Sequence, residues 1–327
     1  FAAEYGVEYV ILDEGWATKY KNDLFDIVPQ IDMRAIVDYA TSKGVGIILW
    51  AGYNAFDNDM ERVCSHYSAM GVKGFKIDFM DRDDAMMNEF YYRAAEVCAR
   101  HKLMIDFHGC AKPTGLNRTY PNVVNFEAVF GLEQMKWRKP EVDQMEYDVT
   151  MPFIRMVAGP IDYTQGAMLN AKREEYRPNY NKPMSQGTRC HQLAAYAVFF
   201  SPLSMLCDSP SHYRSEVECA EFIASVPTVW DESVVLDGKI GEYIVTARRK
   251  DNTWYVGGMT DWNARTVEVN LSQLGIAANG TVEIFCDSDG AASDYIRKSV
   301  TLPSNGVLTV DMASGGGFMI ICQNPLP

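Results

Sequence analysis

Short apolar runs alternate with amphipathic stretches along the first two-thirds of this chain, and that alternation admits few folds. Apolar runs fall at residues 7–12, 45–49, 74–79, 103–107, 123–126, 159–163 and 203–207. Helical patterns lie between them at 32–43, stopped by Gly44, at 57–70, stopped by Gly71, and at 83–101, 187–200 and 215–225. Strands separated from one another by roughly 25–35 residues with a helix between them are parallel βα units. A (β/α)8 barrel needs eight such strands. Phe1-Ala2-Ala3-Glu4-Tyr5-Gly6 reads as the last turn of a helix closed by glycine. The expected fold is therefore α/β, a (β/α)8 TIM barrel without its first strand. A doubly wound open sheet would show a glycine-rich phosphate loop after an early strand, and the sequence has none.

The pattern changes after about Pro227. Strands then follow one another directly, at 242–248, 253–259, 265–271, 280–285, 306–312 and 317–322. Turn signals such as Lys250-Asp251-Asn252 and Ser304-Asn305-Gly306 separate them. This predicts an antiparallel β-sandwich at 233–327 behind a catalytic barrel domain at 1–232. The sandwich shows no convergent charge cluster and reads as structural. A sugar-binding face using Trp254, Tyr255 or Trp262 is the alternative.

With 327 residues, 47% of them hydrophobic, the chain can bury a large core. A net charge of −13 argues against nucleic acid or anionic membrane as partners, since both call for basic patches. No apolar run is long enough for a transmembrane helix. Eight cysteines are scattered without CxxC or CxH spacing, so no zinc site is indicated and the compartment stays open. The truncated opening helix suggests a fragment from which targeting information has been removed. A barrel lacking one strand exposes two edges, so the isolated fragment is expected to be poorly stable.

In parallel α/β folds the C-terminal strand ends face the ligand. The residues gathered there are Asp13, Glu14 and Trp16, then Trp50, then Lys76 and Asp78, then His108, then Glu127 followed by Glu133. Carboxylates interleaved with tryptophans suit a sugar site: indole faces stack on sugar rings, and carboxylates bind hydroxyls or do acid–base work. Glycoside hydrolysis needs two carboxyls flanking the scissile bond, roughly 5–5.5 Å apart when one is a nucleophile. Asp78 and a glutamate further along could be that pair. Lys76 stands two residues before Asp78, on the same strand face, where its charge would favour ionised Asp78. His108 reads as a hydroxyl-binding group. Asp81, Asp83 and Asp84 read as a helix N-terminal cap rather than a metal cluster.

The segments LDEGW, GFKIDFMDRDD, DFHGCAKPTG, RTYPNVVNFEAVFGLE and AGPIDYTQGAM together resemble glycoside hydrolase family 97 over most of residues 1–230. The resemblance implies an N-terminal β-super-sandwich, absent here, ahead of a (β/α)8 barrel and a C-terminal β-domain. It also implies a choice between inverting α-glucosidases and retaining α-galactosidases. Asp78 matches the nucleophile of the retaining branch, and Gly109 stands where inverting members carry a base. Glu133 matches the acid/base. Glu127 and Glu133 match ligands of a calcium ion, and the missing N-terminal domain of the same chain would supply others. Asp13, Trp16, Trp50, Lys76 and His108 are the implied substrate contacts. The expected activity is retaining, exo-acting hydrolysis of terminal α-galactosides by double displacement through a glycosyl-aspartate. The expected compartment is periplasmic or secreted, and the partner is an oligosaccharide or glycoside. Alternatives are an α-glucosidase, a β-L-arabinopyranosidase or a non-catalytic sugar-binding relic. A metal-dependent aldolase or isomerase lacks the phosphate loop or metal cluster it would need.

Overall fold

A computed structural model describes residues 1–18, 22–139 and 141–323. These form two compact units: Phe1–Val129 with Ala158–Asp162, and Phe130–Val157 with the chain from Tyr163 onward.

The first unit is built on β1 (Tyr9–Leu12), β2 (Gly46–Gly52), β3 (Gly74–Asp78), β4 (Met104–Phe107) and β5 (Val123–Phe126). They pair in sequence order, all parallel. Successive side chains on a strand point to opposite faces, and here the two faces differ in chemistry. Leu49, Ala51, Phe75, Ile77, Ile105 and Phe107 are fully buried and share one core with the helices, packing against Cys64, Tyr67, Phe90, Ala94 and Cys98. The opposite face carries Trp50, Lys76 and Asp106 in register on adjacent strands, with Asp78 opposite Gly52. A shift of one residue would exchange these faces, so the apolar set fixes which groups line the polar face.

The helices expected at 32–43 and 83–101 form within two residues of those bounds, whereas the one expected at 57–70 is divided at Asp59 into Tyr53–Asn58 and Met60–Met70. Asp32 caps Met33–Ser42 by accepting from the Ala35 N–H (3.0 Å), and Gly71 ends Met60–Met70 with φ 109°. Asp84 caps Ala85–Arg100 by accepting from the Met87 N–H (3.1 Å), which is the role expected of that acidic run. Among the described residues, no helix is long and apolar enough to cross a membrane.

Two expected strands do not form among the described residues. Residues 159–163 lie beside β5, where Asp162 N donates to Phe126 O (3.0 Å), but take no strand conformation. Gly159, at φ 141°, and Pro160 interrupt pairing there. Residues 203–207 follow Pro202 and are likewise irregular. The parallel sheet therefore has five strands where seven were expected.

The second unit contains helix Gln144–Ile154, helix Arg189–Val198, helices Pro210–Ser215 and Val217–Ser225, and the two-residue strands β6 (Asn170–Ala171) and β7 (Ser185–Gln186). Its antiparallel strands are β8 (Glu232–Lys239), β9 (Tyr243–Lys250), β10 (Thr253–Thr260), β11 (Arg265–Asn270), β12 (Thr281–Asp287), β13 (Tyr295–Thr301), β14 (Val307–Met312) and β15 (Gly317–Gln323). Six run in the order β13-β12-β15-β10-β9-β8, and β11 pairs with β14. Residues of both sheets share one core, including Val245, Val256, Val267, Val310 and Phe318. Trp254 lies in that core at 3% exposure, which removes it from any sugar-binding face. Every residue of helix Arg189–Val198 is buried. Gly257 on β10 lets that helix approach, since a Cβ there would stand 2.7 Å from Ala194 O. Arg248 donates from Nε to Ala197 O (2.5 Å) and from Nη2 to Val198 O (3.1 Å), closing the helix C-terminus with a cation.

Candidate active site

Asp78 ends β3, half-buried, with both carboxylate oxygens held. Oδ2 accepts from Trp50 Nε1 (3.1 Å) and Oδ1 from the Phe79 N–H (2.7 Å). Trp50 is fixed in turn, because Trp16 Nε1 donates to its carbonyl (2.9 Å). Phe79 takes a left-handed φ of 67° and stands 56% exposed, edge-on to Trp50 with ring centroids 5.6 Å apart. A non-glycine residue in this region costs roughly 1–3 kcal/mol and is tolerated where surrounding structure holds it. That strain turns the chain sharply after Asp78 and leaves its carboxylate beside an aromatic wall.

The residue against Asp78 from the next strand is Gly109. Its φ is 52°, and a Cβ there would lie 3.1 Å from Asp78 Oδ1, 3.1 Å from Asp81 Oδ1 and 3.0 Å from Phe79 N. Its carbonyl accepts from the Asp81 N–H (2.7 Å), which ties the two turns together.

Lys76 is buried on the same face, and its ammonium goes to Asp13 Oδ2 (2.8 Å). Burial opposes the charge on both partners. The pairing outweighs it, raising Lys76 and lowering Asp13. Lys76 is thus anchored at Asp13, and the direct contacts of Asp78 are Trp50 and its own turn, not the lysine.

His108, 3% exposed, sits between carboxylates. Its Nε2 lies 2.5 Å from Asp162 Oδ2 and 3.3 Å from Asp106 Oδ2, and Nδ1 lies 3.7 Å from Glu127 Oε1. Burial alone would lower the imidazole pKa; Asp106 and Asp162 reverse this and hold it well above its usual value. Burial and neighbouring Asp106 push Asp162 up to about 7, against the pull of His108. The three groups are spaced as metal ligands can be. At 2.5 Å from Asp162 Oδ2, His108 Nε2 is nonetheless already engaged in a short hydrogen bond. Asp106 and Asp162 were not among the residues singled out from sequence. The available signal was Asp106 two positions before His108 on one strand face; Asp162 comes from a segment whose expected strand does not form.

Glu127, just after β5, accepts from the Gly109 N–H at Oε2 (2.8 Å). Burial raises its pKa, partly offset by His108. Glu133 belongs to the second unit, on the short turn Leu132–Lys136, where Lys136 Nζ stands 3.7 Å from Oε1. Leu132 N donates to Tyr163 O (3.0 Å), and Gly131 permits that approach because a Cβ there would meet Tyr163 O at 3.0 Å. The first unit thus brings together Asp13, Trp50, Lys76, Asp78, His108 and Glu127. Trp16 is a correction: at 2% exposure its indole packs edge-on to Tyr67 in the core and supports Trp50 instead of offering a sugar-stacking face.

The chain is similar to known glycoside hydrolases. Residues 1–129 match the family model of glycoside hydrolase 97, and residues 229–323 match the model described as glycosyl-hydrolase 97 C-terminal, oligomerisation. The chain is 61% identical over 98% of its length to a retaining α-galactosidase of Bacteroides thetaiotaomicron, covering 49% of that protein. Among solved structures, a family 97 enzyme of Pseudoalteromonas sp. strain K8 in complex with panose superposes with a TM-score of 0.88 at 28% identity, covering 99% of this chain and 55% of that one. A β-arabinopyranosidase superposes with a TM-score of 0.85 at 29% identity, covering 98% of this chain and 51% of that one. The chain spans about half the length of the curated relatives it matches.

Proposed function

Since this chain belongs to glycoside hydrolase family 97, we propose that it carries the reacting carboxylates of a retaining, exo-acting α-galactosidase, on a (β/α)8 barrel of which the five parallel strands are a part. The observation that carries the reading is Asp78: a half-buried carboxylate at the end of β3, held by Trp50 and the Phe79 N–H, with Gly109 packed close against it. A fixed carboxylate on β3, with no room for a side chain at position 109, suits attack on an anomeric carbon better than it suits a second base at 109. The 61% identity to a retaining α-galactosidase supports the same choice.

In the first step Asp78 attacks the anomeric carbon while Glu133 gives its proton to the departing oxygen, leaving a glycosyl-aspartate. In the second, Glu133 takes a proton from water, which attacks the same carbon and releases Asp78. Lys76, locked to Asp13, and His108, locked to Asp162, present fixed donors to sugar hydroxyls, where preorganisation limits the entropy lost on binding.

Glu127 and Glu133 would hold the calcium ion. Carboxylate oxygens are the hard donors calcium takes, and a cation would relieve the burial that raises Glu127. When bound, the ion supplies positive charge and orientation near the acid.

The likeness to a β-arabinopyranosidase favours a second reading, because that sugar repeats galactose's ring hydroxyls and lacks only the hydroxymethyl arm. The test is the full-length enzyme with Asp78→Ala, an activated aryl α-galactoside and added azide. Azide should restore turnover by attacking the face Asp78 used, yielding β-galactosyl azide as the aryl oxide leaves. Restoration only with an aryl β-L-arabinopyranoside moves the substrate. Wild-type activity in D78A without azide removes Asp78 from the role.

A further inference from the structure

The turn that carries Glu133 runs directly into Trp137, whose indole is 45% exposed. Tyr180, 68% exposed, comes from a loop more than forty residues on. Its ring centroid lies 6.1 Å from that of the indole, with the planes within 25° of each other. Lys136 connects this aromatic pair to Glu133: its Nζ is 3.7 Å from Glu133 Oε1 and 5.6 Å from the centre of the Tyr180 ring.

Trp137 is held in place by its own turn. Trp137 Nε1 donates to Gln134 Oε1 (3.2 Å), and its backbone N–H donates to Gln134 O (3.3 Å). Arg138 Nε donates to the same Gln134 oxygen (3.0 Å). Neither ring belongs to the cores of the two units. Two large aromatic side chains on the surface, Trp137 held by its turn and Tyr180 ranged alongside it, with a cation at their margin, match a sugar ring: apolar faces for stacking, and a donor for its hydroxyls.

The geometry points to Trp137 and Tyr180 as the platform that binds the leaving-group sugar, with Lys136 as the donor at its edge. The inference rests on the α-galactosidase reading, in which Glu133 protonates the oxygen of the group that departs. The departing oxygen takes its proton from that carboxyl as its bond to the anomeric carbon breaks, and the platform begins four residues along, at the end of the same turn. The substrate class it selects is the α-galactosyl di- or oligosaccharide, in which the galactose is attached to another sugar.

The experiment measures kcat/KM of the full-length enzyme on an α-galactosyl disaccharide and on α-galactosyl fluoride, whose leaving group has nothing to stack. In Trp137→Ala and Tyr180→Ala the ratio of the two values, disaccharide over fluoride, should fall by roughly tenfold, the size of an aromatic stacking contribution. Trp137→Phe should recover most of it. A ratio within twofold of wild type in both alanine variants, including equal losses on the two substrates, would overturn the platform alone. A wild-type enzyme that cleaves neither substrate would overturn the α-galactosidase reading, and the platform with it.

Discussion

Gly109 stands so close to the Asp78 carboxylate that a Cβ at position 109 would meet Oδ1 at 3.1 Å. Two carboxylates cannot occupy this corner together. One of the positions must be small, and here the carboxylate is on β3.

Gly109→Ala therefore places a methyl group against the proposed nucleophile and strains a backbone at φ 52°. Strain of roughly 1–3 kcal/mol in this region, added to the contact, predicts a fall in kcat of about tenfold or more. Steady-state kinetics on an aryl α-galactoside should show the loss mainly in kcat. A loss confined to KM would mean that the contact affects binding and leaves Asp78 in place.

The His108 cluster predicts a pH dependence with a defined sign. The folded pKa of Asp162 lies above its usual 3.8, near 7, and that of His108 lies above 6.5. A raised folded pKa contributes stability that is complete below the unfolded value and is lost as pH rises through the folded one. For Asp162 the window runs from about pH 4 to about pH 7. Asparagine has no proton to lose, so as wild type gives up that stability between about pH 4 and about pH 7, thermal unfolding should show Asp162→Asn gaining on it. A variant that loses ground to wild type as pH rises would show Asp162 to be stabilised as the anion.

Calcium removal should act through Glu127. Chelation of the full-length enzyme should lower activity, with recovery on adding calcium but not magnesium, which demands tighter octahedral geometry. Glu127→Gln keeps the size and removes the charge, so it should raise the calcium concentration needed for half-activation by at least tenfold. Calorimetry on both proteins reads the affinity without relying on turnover. Equal affinities would exclude Glu127 as a ligand.

In the second unit, Gly257→Val should disturb the packing of helix Arg189–Val198 on β10. The added side chain would meet Ala194 O and Ala197 Cβ. Overpacking of this kind typically costs about 1–3 kcal/mol. Denaturant unfolding should show a lower midpoint, whereas an unchanged midpoint would mean that the helix can shift away.

The parallel strands β1 to β5 were legible because each is a short apolar run ending in charge, a pattern that buried strands must carry. Asp78, Lys76, Trp50 and His108 could be placed at strand ends for that reason. The partners of these groups were not legible. That Lys76 chooses Asp13 rather than Asp78 depends on side-chain reach across the sheet, and Trp16 turned inward because its N–H meets the Trp50 carbonyl. Edge strands escaped as well: β8 and β13 lie at the two ends of their sheet, largely exposed, so no apolar alternation marks them. Helix Gln144–Ile154 was missed because it carries Pro152 and a weakly segregated apolar face.

The central claim is that Asp78 acts as a nucleophile. Proton NMR of the sugar first released from an aryl α-galactoside by the full-length enzyme, with calcium present, tests it most directly. Double displacement through Asp78 predicts α-galactose first, with the β anomer appearing only by later mutarotation. β-Galactose as the first product would mean a single inverting displacement by water, and would contradict the assignment.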